Sequence, residues 1–374
     1  MKHIVIVGGS FGGVSTAHRF LKQAAKEIPS DSFKVTLVSR DSDLYWSVAA
    51  PRGLIPGQIS DKQLFQPIAP GFAHYPKGQV EFILATATGI DVDGKKLEIT
   101  TPSDQIQSIG YDYLLLATGS RTLVDTPFKS RGSTEATKKA LREAQAQIKR
   151  AKNIVVVGGG PTGVETAGEL AFEYGQKKKI TLISSGPTVL EGRPAKVSQT
   201  AEKQLAALKI DLRLNTKVQD TTQLPDGTQE LTLADGKKLV TDMVIPTYGV
   251  VPNSSFVPSR FLDASGFIRV DETLRVIGAK DVFAFGDVAD AEPPQLIYVE
   301  KQSTHMAKNL LLLIKNTPLI PYKVSTTAMI GVQIGKKSGT GHVGNFKIPS
   351  FVLSLLRKTL FIERLPKTVD GSLF

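Results

Sequence analysis

Residues 154–170 read IVVVGGGPTGVETAGEL, and the reading of this stretch decides the fold. The apolar, β-branched run Ile154–Val157 predicts a strand. The glycines predict a tight turn, and the small residues beyond them a helix face that can pack closely on that strand. Gly158, Gly160 and Gly163 fill all three places of the spacing G-x-G-x-x-G. In a dinucleotide-binding turn the first glycine permits the bend and the second lets the backbone approach a pyrophosphate. The third lets helix and strand touch. The helix N-terminus then offers free N–H groups and positive potential to the phosphates. KITLIS follows at 179–184, so the unit reads as β-α-β with parallel strands. Alone, the spacing also suits a glycine-rich turn without a ligand; the flanking strand and helix favour the nucleotide.

A near copy opens the chain. Residues 4–20 read IVIVGGSFGGVSTAHRF, followed by KVTLVS at 34–39. Gly8 and Gly13 hold the first and third places, beside Gly9 and Gly12, but Ser10 stands in the middle. An acidic residue is expected about 20 residues after the third glycine, to bind the adenosine ribose. Neither copy has it there: the second offers Ser184 and Ser185, the first Ser39, then Arg40 and Asp41. With no carboxylate to repel a 2′-phosphate, and with Lys177–Lys179 before that strand and Arg193 after it, NADPH is expected to be tolerated or preferred. NADH stays open.

Between and after the copies lie further strand patterns. YDYLLLATGS (111–120) ends in a small-residue turn at Thr118-Gly119, and DVFAFGDVAD (281–290) ends in Gly286-Asp287. A helix is expected over 134–151, with Ser133 as N-cap, Glu135 in its first turn and Lys149 and Arg150 in its last. DLRLNT (211–216) and QELTLADGKKL read as hairpin strands around Asp226-Gly227 and Asp235-Gly236. Another helix is expected at about 299–315. FVLSLLRKTLFIERL (351–365) reads as one apolar-basic helix, fit either to lie on a membrane surface or to pack on the protein's own core.

Composition narrows the chemistry. The 374 residues contain no cysteine and five histidines, which excludes a redox disulfide and leaves a metal centre little support. Redox work would belong to an organic cofactor. The net charge of +11 comes from dispersed basic residues, which argues against a nucleic-acid arm. No apolar run approaches the about 20 residues of a spanning helix. Strand-like sequence starts at residue 4 and position 2 is Lys, so neither a signal peptide nor a myristoylated glycine is expected, and the cytoplasm is the default compartment.

The order fingerprint, Ala-Thr-Gly, fingerprint, Gly-Asp resembles the two-dinucleotide-binding-domain flavoproteins. It is similar to the branch with apoptosis-inducing factor homologues, ferroptosis suppressor protein and type II NADH dehydrogenases. LYWSVAAPRGL (44–54) resembles the segment that lies against the flavin in cysteine-free members. The resemblance implies an α/β fold of the glutathione-reductase-like type. Two Rossmann-like domains, for FAD (1–122 and 250–298) and NAD(P)H (123–249), would precede a smaller C-terminal α+β domain (299–374).

It also implies site roles. FAD would meet Gly8, Gly9, Ser10, Gly12 and Gly13 at its pyrophosphate, Ser39 and Arg40 beyond them, and Thr118-Gly119 at the crossing between domains. Asp287 would bind the ribityl chain. Arg52 would contact the FAD phosphates or the flavin's carbonyl edge, with Tyr45 and Trp46 lining the flavin cavity. NADPH or NADH would meet Gly158, Gly160, Thr162, Gly163, Ser184 and Arg193, with Glu165 toward the nicotinamide. His305 follows the Gly-Asp segment and reads as a plain helix residue; no acid–base residue is assigned. Without cysteines the electrons would pass directly to a small acceptor, expected to be a quinone. The alternatives are a small electron-carrier protein, or a low-turnover, redox-sensing nucleic-acid- or protein-binding factor.

Overall fold

The computed structural model describes residues 1–374. The first β-α-β unit starts with strand Lys2–Val7, runs through helix Phe11–Glu27 and returns in strand Phe33–Ser39, parallel to the first. Tyr113–Leu116 and then Val282–Ala284 extend the sheet on one side and Val80–Leu84 on the other, all parallel. Both faces are covered. Ile4 and Ile6 point into the main core, Val5 and Val7 into a second one, and all four are buried. This is why these strands read as continuous apolar runs.

The second unit repeats the plan with Asn153–Val157, helix Pro161–Tyr174 and Lys179–Ile183, joined in parallel by Met243–Pro246. Asp211–Arg213 pairs in parallel with Lys179–Ile183. It is an edge strand of this sheet, not the hairpin strand its alternation suggested. The hairpin is built instead from Val218–Gln223, Gln229–Leu233 and Lys238–Thr241. Helix Thr134–Arg150 precedes the unit, with the Ser133 hydroxyl accepting from the Ala136 N–H.

Helix Leu296–Ile314 lies beside helix Phe11–Glu27. An antiparallel sheet (Met329–Ile334, Ser338–Val343, Phe346–Lys347) packs against helix Pro161–Tyr174. A Cβ on Gly168 would stand 2.9 Å from the Gly335 nitrogen, so this contact is made at backbone distance. Buried side chains of both units and of the C-terminal part belong to one continuous core.

The expected single helix at 351–365 is broken. Helices Ser350–Leu356 and Arg364–Val369 flank a turn in which Leu360 (φ 53°) and Phe361 (φ 58°) are left-handed. Such residues cost roughly 1–2 kcal/mol each. The turn buries Leu360, and the backbone oxygens it exposes find donors elsewhere: Trp46 Nε1 at the Leu360 carbonyl (2.8 Å) and Arg52 Nη1 at the Lys358 carbonyl (2.8 Å).

Candidate active site

At the first turn Gly8 has φ +125°, and a Cβ there would fall 2.2 Å from the Ala117 oxygen. A Cβ on Gly13 would fall 1.9 Å from the Gly8 oxygen, and one on Gly9 2.4 Å from Ser39 Oγ. The second turn repeats this, with Gly158 at φ +124° and a Gly163 Cβ position 1.8 Å from the Gly158 oxygen. The middle place behaves differently. A Cβ on Gly160 would meet no protein atom within 4 Å. The fold needs glycine at the first and third places, whereas the middle one faces only the space a ligand would occupy. Ser10 is therefore sterically free. It is the N-cap in extended conformation, and its side chain makes no capping hydrogen bond.

Both turns open into one cleft of about 1040 Å³. This is at the upper end of the about 300–1,000 Å³ of small-molecule sites. Gly8, Gly9, Ser10, Gly12, Ser39, Arg40, Thr118, Gly119 and Asp287 line one half; Gly160, Thr162, Glu165 and Arg193 line the other. Gly13, Gly158, Gly163 and Ser184 stand behind the surface: Gly13 and Gly163 let helix and turn touch, Gly158 abuts Thr247, and Ser184 lies against Gly159. The first N–H groups of each helix have no intrahelical acceptor, and the glycines leave a cradle that a Cβ would fill. The residues present thus fit a dinucleotide phosphate at each turn.

Asp287 Oδ2 accepts from Ser120 Oγ (2.9 Å) and Lys129 Nζ (2.8 Å). Oδ1 faces no protein donor. The Gly286 N–H donates to Gln302 Oε1 (2.6 Å), which fixes this turn to the helix whose first residues, Leu296 and Ile297, also line the cleft. Thr118 Oγ1 donates to the Asn253 carbonyl (2.8 Å) at the chain crossing. Ser39 Oγ donates to the Asp41 carbonyl (2.7 Å), and Asp41 in turn accepts from Ser130.

Arg52 is placed differently from its expected position at the flavin. It is buried away from the cleft, and Nε and Nη2 donate to Glu169 Oε1 at 3.0 and 2.8 Å. Together with its bond to the Lys358 carbonyl this makes it an interior tie between the first unit, the second helix and the tail. Trp46 is likewise interior, edge-on to Phe11. Tyr45 does line the cleft; its hydroxyl donates to the Pro127 carbonyl (2.7 Å), and burial raises its pKa. His305 faces Tyr322 and Asn309 outside the cleft.

Glu165 Oε1 accepts from Arg357 Nη2 (2.8 Å) and the Gln333 N–H (3.2 Å). Burial pushes its carboxyl above the usual range, against the pull of Arg357. Arg357 belongs to a third wall that sequence reasoning missed, with Met329, Ile330, Leu353 and Phe361. Sequence reasoning also missed Lys129, which lines the cleft, and Glu191, which lies outside its lining. A Cβ on Gly186 would fall 2.3 Å from Glu191 Oε2, so a carboxylate folds back onto the loop that follows strand Lys179–Ile183. No positional signal marks these three; only the folded chain brings them in.

Compared with known proteins, residues 2–308 match the family described as pyridine nucleotide-disulphide oxidoreductase. The chain belongs to that family. It is 60% identical over 373 residues to Oxidoreductase ptaL of Pestalotiopsis fici, covering 100% of both chains. It is 28% identical to human Ferroptosis suppressor protein 1, covering 99% of this chain and 96% of the other. The sulfide:quinone oxidoreductase of Aquifex aeolicus shares the fold, with a TM-score of 0.79 at 21% identity over 99% of this chain and 92% of that one. The protein is therefore an oxidoreductase with the two-dinucleotide flavoprotein fold, and the family implies FAD and a nicotinamide nucleotide. With no cysteine in the chain, the disulphide of the family's name has no counterpart here.

Proposed function

We propose that this protein is an FAD-dependent NAD(P)H oxidoreductase that passes electrons directly to a quinone-like acceptor. What carries the reading is the single cleft. Both glycine turns and an apolar C-terminal wall line it, in a chain with no cysteine to relay electrons. Bound at the first turn, FAD would supply the two-electron chemistry by which NAD(P)H, a proton and a quinone give NAD(P)⁺ and a hydroquinone.

The chain's own part is to bind, orient and exclude water. In this reading residues 1–122 and 250–298 hold FAD, 123–249 hold the nicotinamide nucleotide, and 299–374 complete the acceptor side. The free amides after Ser10 would hold the FAD pyrophosphate, and Asp287 would accept from a ribityl hydroxyl. Gly160, Thr162 and Arg193 face the second dinucleotide. Arg357 holds the Glu165 carboxylate beside the nicotinamide end. Met329, Ile330, Leu353 and Phe361 offer a flat apolar ring a dry wall.

No helix is long and apolar enough to cross a membrane. Phe351 and Leu355, four residues apart on helix Ser350–Leu356, are exposed, as is Phe346 on the strand before it; these apolar side chains suit peripheral contact with a lipid surface from the cytoplasmic side. Anaerobic titration with NADH and NADPH separately, followed by a panel of quinones, small electron carriers and oxygen, tests the proposal. Bleaching of a yellow protein and faster reoxidation by quinones than by oxygen are expected. Denatured protein that releases no flavin sinks the reading, and reoxidation by quinones no faster than by oxygen sinks the acceptor class.

A further inference from the structure

Residues 123–133 run from strand Ser120–Thr122 to helix Thr134–Arg150, and Phe128, Lys129 and Ser130 line the cleft. The segment is tied down at several points. Phe128 and Thr126 are buried, and Tyr45 donates to the Pro127 carbonyl. Ser130 Oγ donates to both Asp41 oxygens (2.9 and 2.8 Å), and Arg40 Nη2 donates to the Ser130 carbonyl (3.3 Å). Lys129 Nζ donates to Asp287 Oδ2 at 2.8 Å.

Two consecutive residues thus reach both edges of the first nucleotide half. Asp41 lies just past the end of strand Phe33–Ser39, where the adenosine of a β-α-β site sits. Asp287 lies at the other edge. Each is a carboxylate facing a cleft that would receive a pyrophosphate, so each adds repulsion unless a cation or donor accompanies it. The cation once expected from Arg52 is spent on Glu169. Lys129 is cationic, lies in the cleft and keeps about a third of its side chain exposed.

We propose that residues 123–133 form a clasp over bound FAD, and that Lys129 is a binding residue that faces the cofactor's pyrophosphate while holding Asp287 in place. This rests on the flavin reading above. Lys129 is a point charge with three donors, so one can stay on Asp287 while another meets a phosphate oxygen. Ser130 closes the clasp at the adenosine edge.

The experiment measures FAD release and protection from trypsin. Lys129→Met should release FAD about 10- to 100-fold faster, the weight of one charged hydrogen bond. Lys129→Arg should retain most of the affinity, and the melting temperature of the Lys129→Met apoprotein should match wild type. Saturating FAD should slow trypsin cleavage after Lys129 and Arg131 in wild type. Should Lys129→Met fail to fold, Ser130→Ala carries the same expectation at about two- to tenfold. A yellow wild type whose Lys129→Met and Ser130→Ala variants both release FAD within twofold of its own rate overturns the clasp alone. So does cleavage in this segment that FAD does not slow. A wild type that takes up no added FAD overturns the flavin reading, and the clasp falls with it.

Discussion

The two glycine units are near copies in sequence, yet corresponding places do different work. Where the first helix carries His18, the second carries Gly168; where the first carries Arg19, the second carries Glu169. His18 Nδ1 meets the Tyr75 hydroxyl (2.9 Å), Nε2 meets the Val369 carbonyl (2.8 Å), and Arg19 lies over the Phe374 ring. The first helix is thus backed by the end of the chain. Gly168 instead lets the C-terminal sheet come to backbone contact, and Glu169 captures Arg52. The shared pattern marks what any nucleotide turn needs. The positions that break it mark what each unit packs against.

Four tests would break or sharpen this contrast. Glu169→Ala should have the largest effect, because it strands the Arg52 charge in the interior. A loss of about 3–5 kcal/mol in urea unfolding is expected, and a loss below 1 kcal/mol would mean that the pair does not lock the units together.

The second concerns acid. Burial holds the His18 pKa down to about 4, against the pull of the Val369 carbonyl. Between pH 6.5 and 4 the unfolded chain binds this proton and the folded chain does not, so stability is full above about 6.5 and lost as pH falls. The loss amounts to about 3 kcal/mol. His18→Gln should flatten that part of the stability–pH curve; an unchanged slope would assign the acid sensitivity elsewhere. The second unit, with Gly168, contributes no matching titration.

The third compares places within a turn. Gly163→Ala should cost about 1–3 kcal/mol by overpacking and abolish NAD(P)H binding while FAD stays. Gly160→Ala should leave the melting temperature unchanged and weaken only the dinucleotide, and Ser10→Gly should keep FAD bound. Flavin loss in Ser10→Gly would make the hydroxyl a specific phosphate ligand. The smallest effect is expected from Glu191→Gln. Removing this charge from beside the loop that follows strand Lys179–Ile183 should favour NADPH over NADH by about two- to fivefold, as for an exposed charge, read from the two dissociation constants.

The turns were legible because their requirements are local. Backbone contact between Gly8 and Gly13, or Gly158 and Gly163, is set within six residues. The Ser133 cap and the Asp226-Gly227 and Asp235-Gly236 turns were legible for the same reason. What stayed hidden depends on distant partners. DLRLNT alternates like a hairpin strand, but pairing with Lys179–Ile183 makes it a parallel edge. Nothing in FVLSLLRKTLFIERL marks a break, since no glycine or proline interrupts it; burial of Leu360 and the donors of Trp46 and Arg52 impose one. Arg52 sat in a segment that resembles a flavin wall, yet its charge is claimed by Glu169, more than a hundred residues away. Lys129 and Arg357 carry no motif at all.

The order of strands in the first sheet has a consequence for biogenesis. Val282–Ala284 is its outermost member on one side, and Asp287 follows it. On a ribosome, chains fold from the N-terminus as they emerge. The second unit, from Asn153 to Pro246, is therefore made before the first can close. Until Val282–Ala284 has emerged, the Tyr113–Leu116 edge lacks its partner strand. An unpaired edge of this kind is a template for aggregation. In the proposed reading, cofactor capture at the first turn thus belongs to the end of synthesis, and a nascent chain stalled before residue 282 should be the form that chaperones bind most tightly.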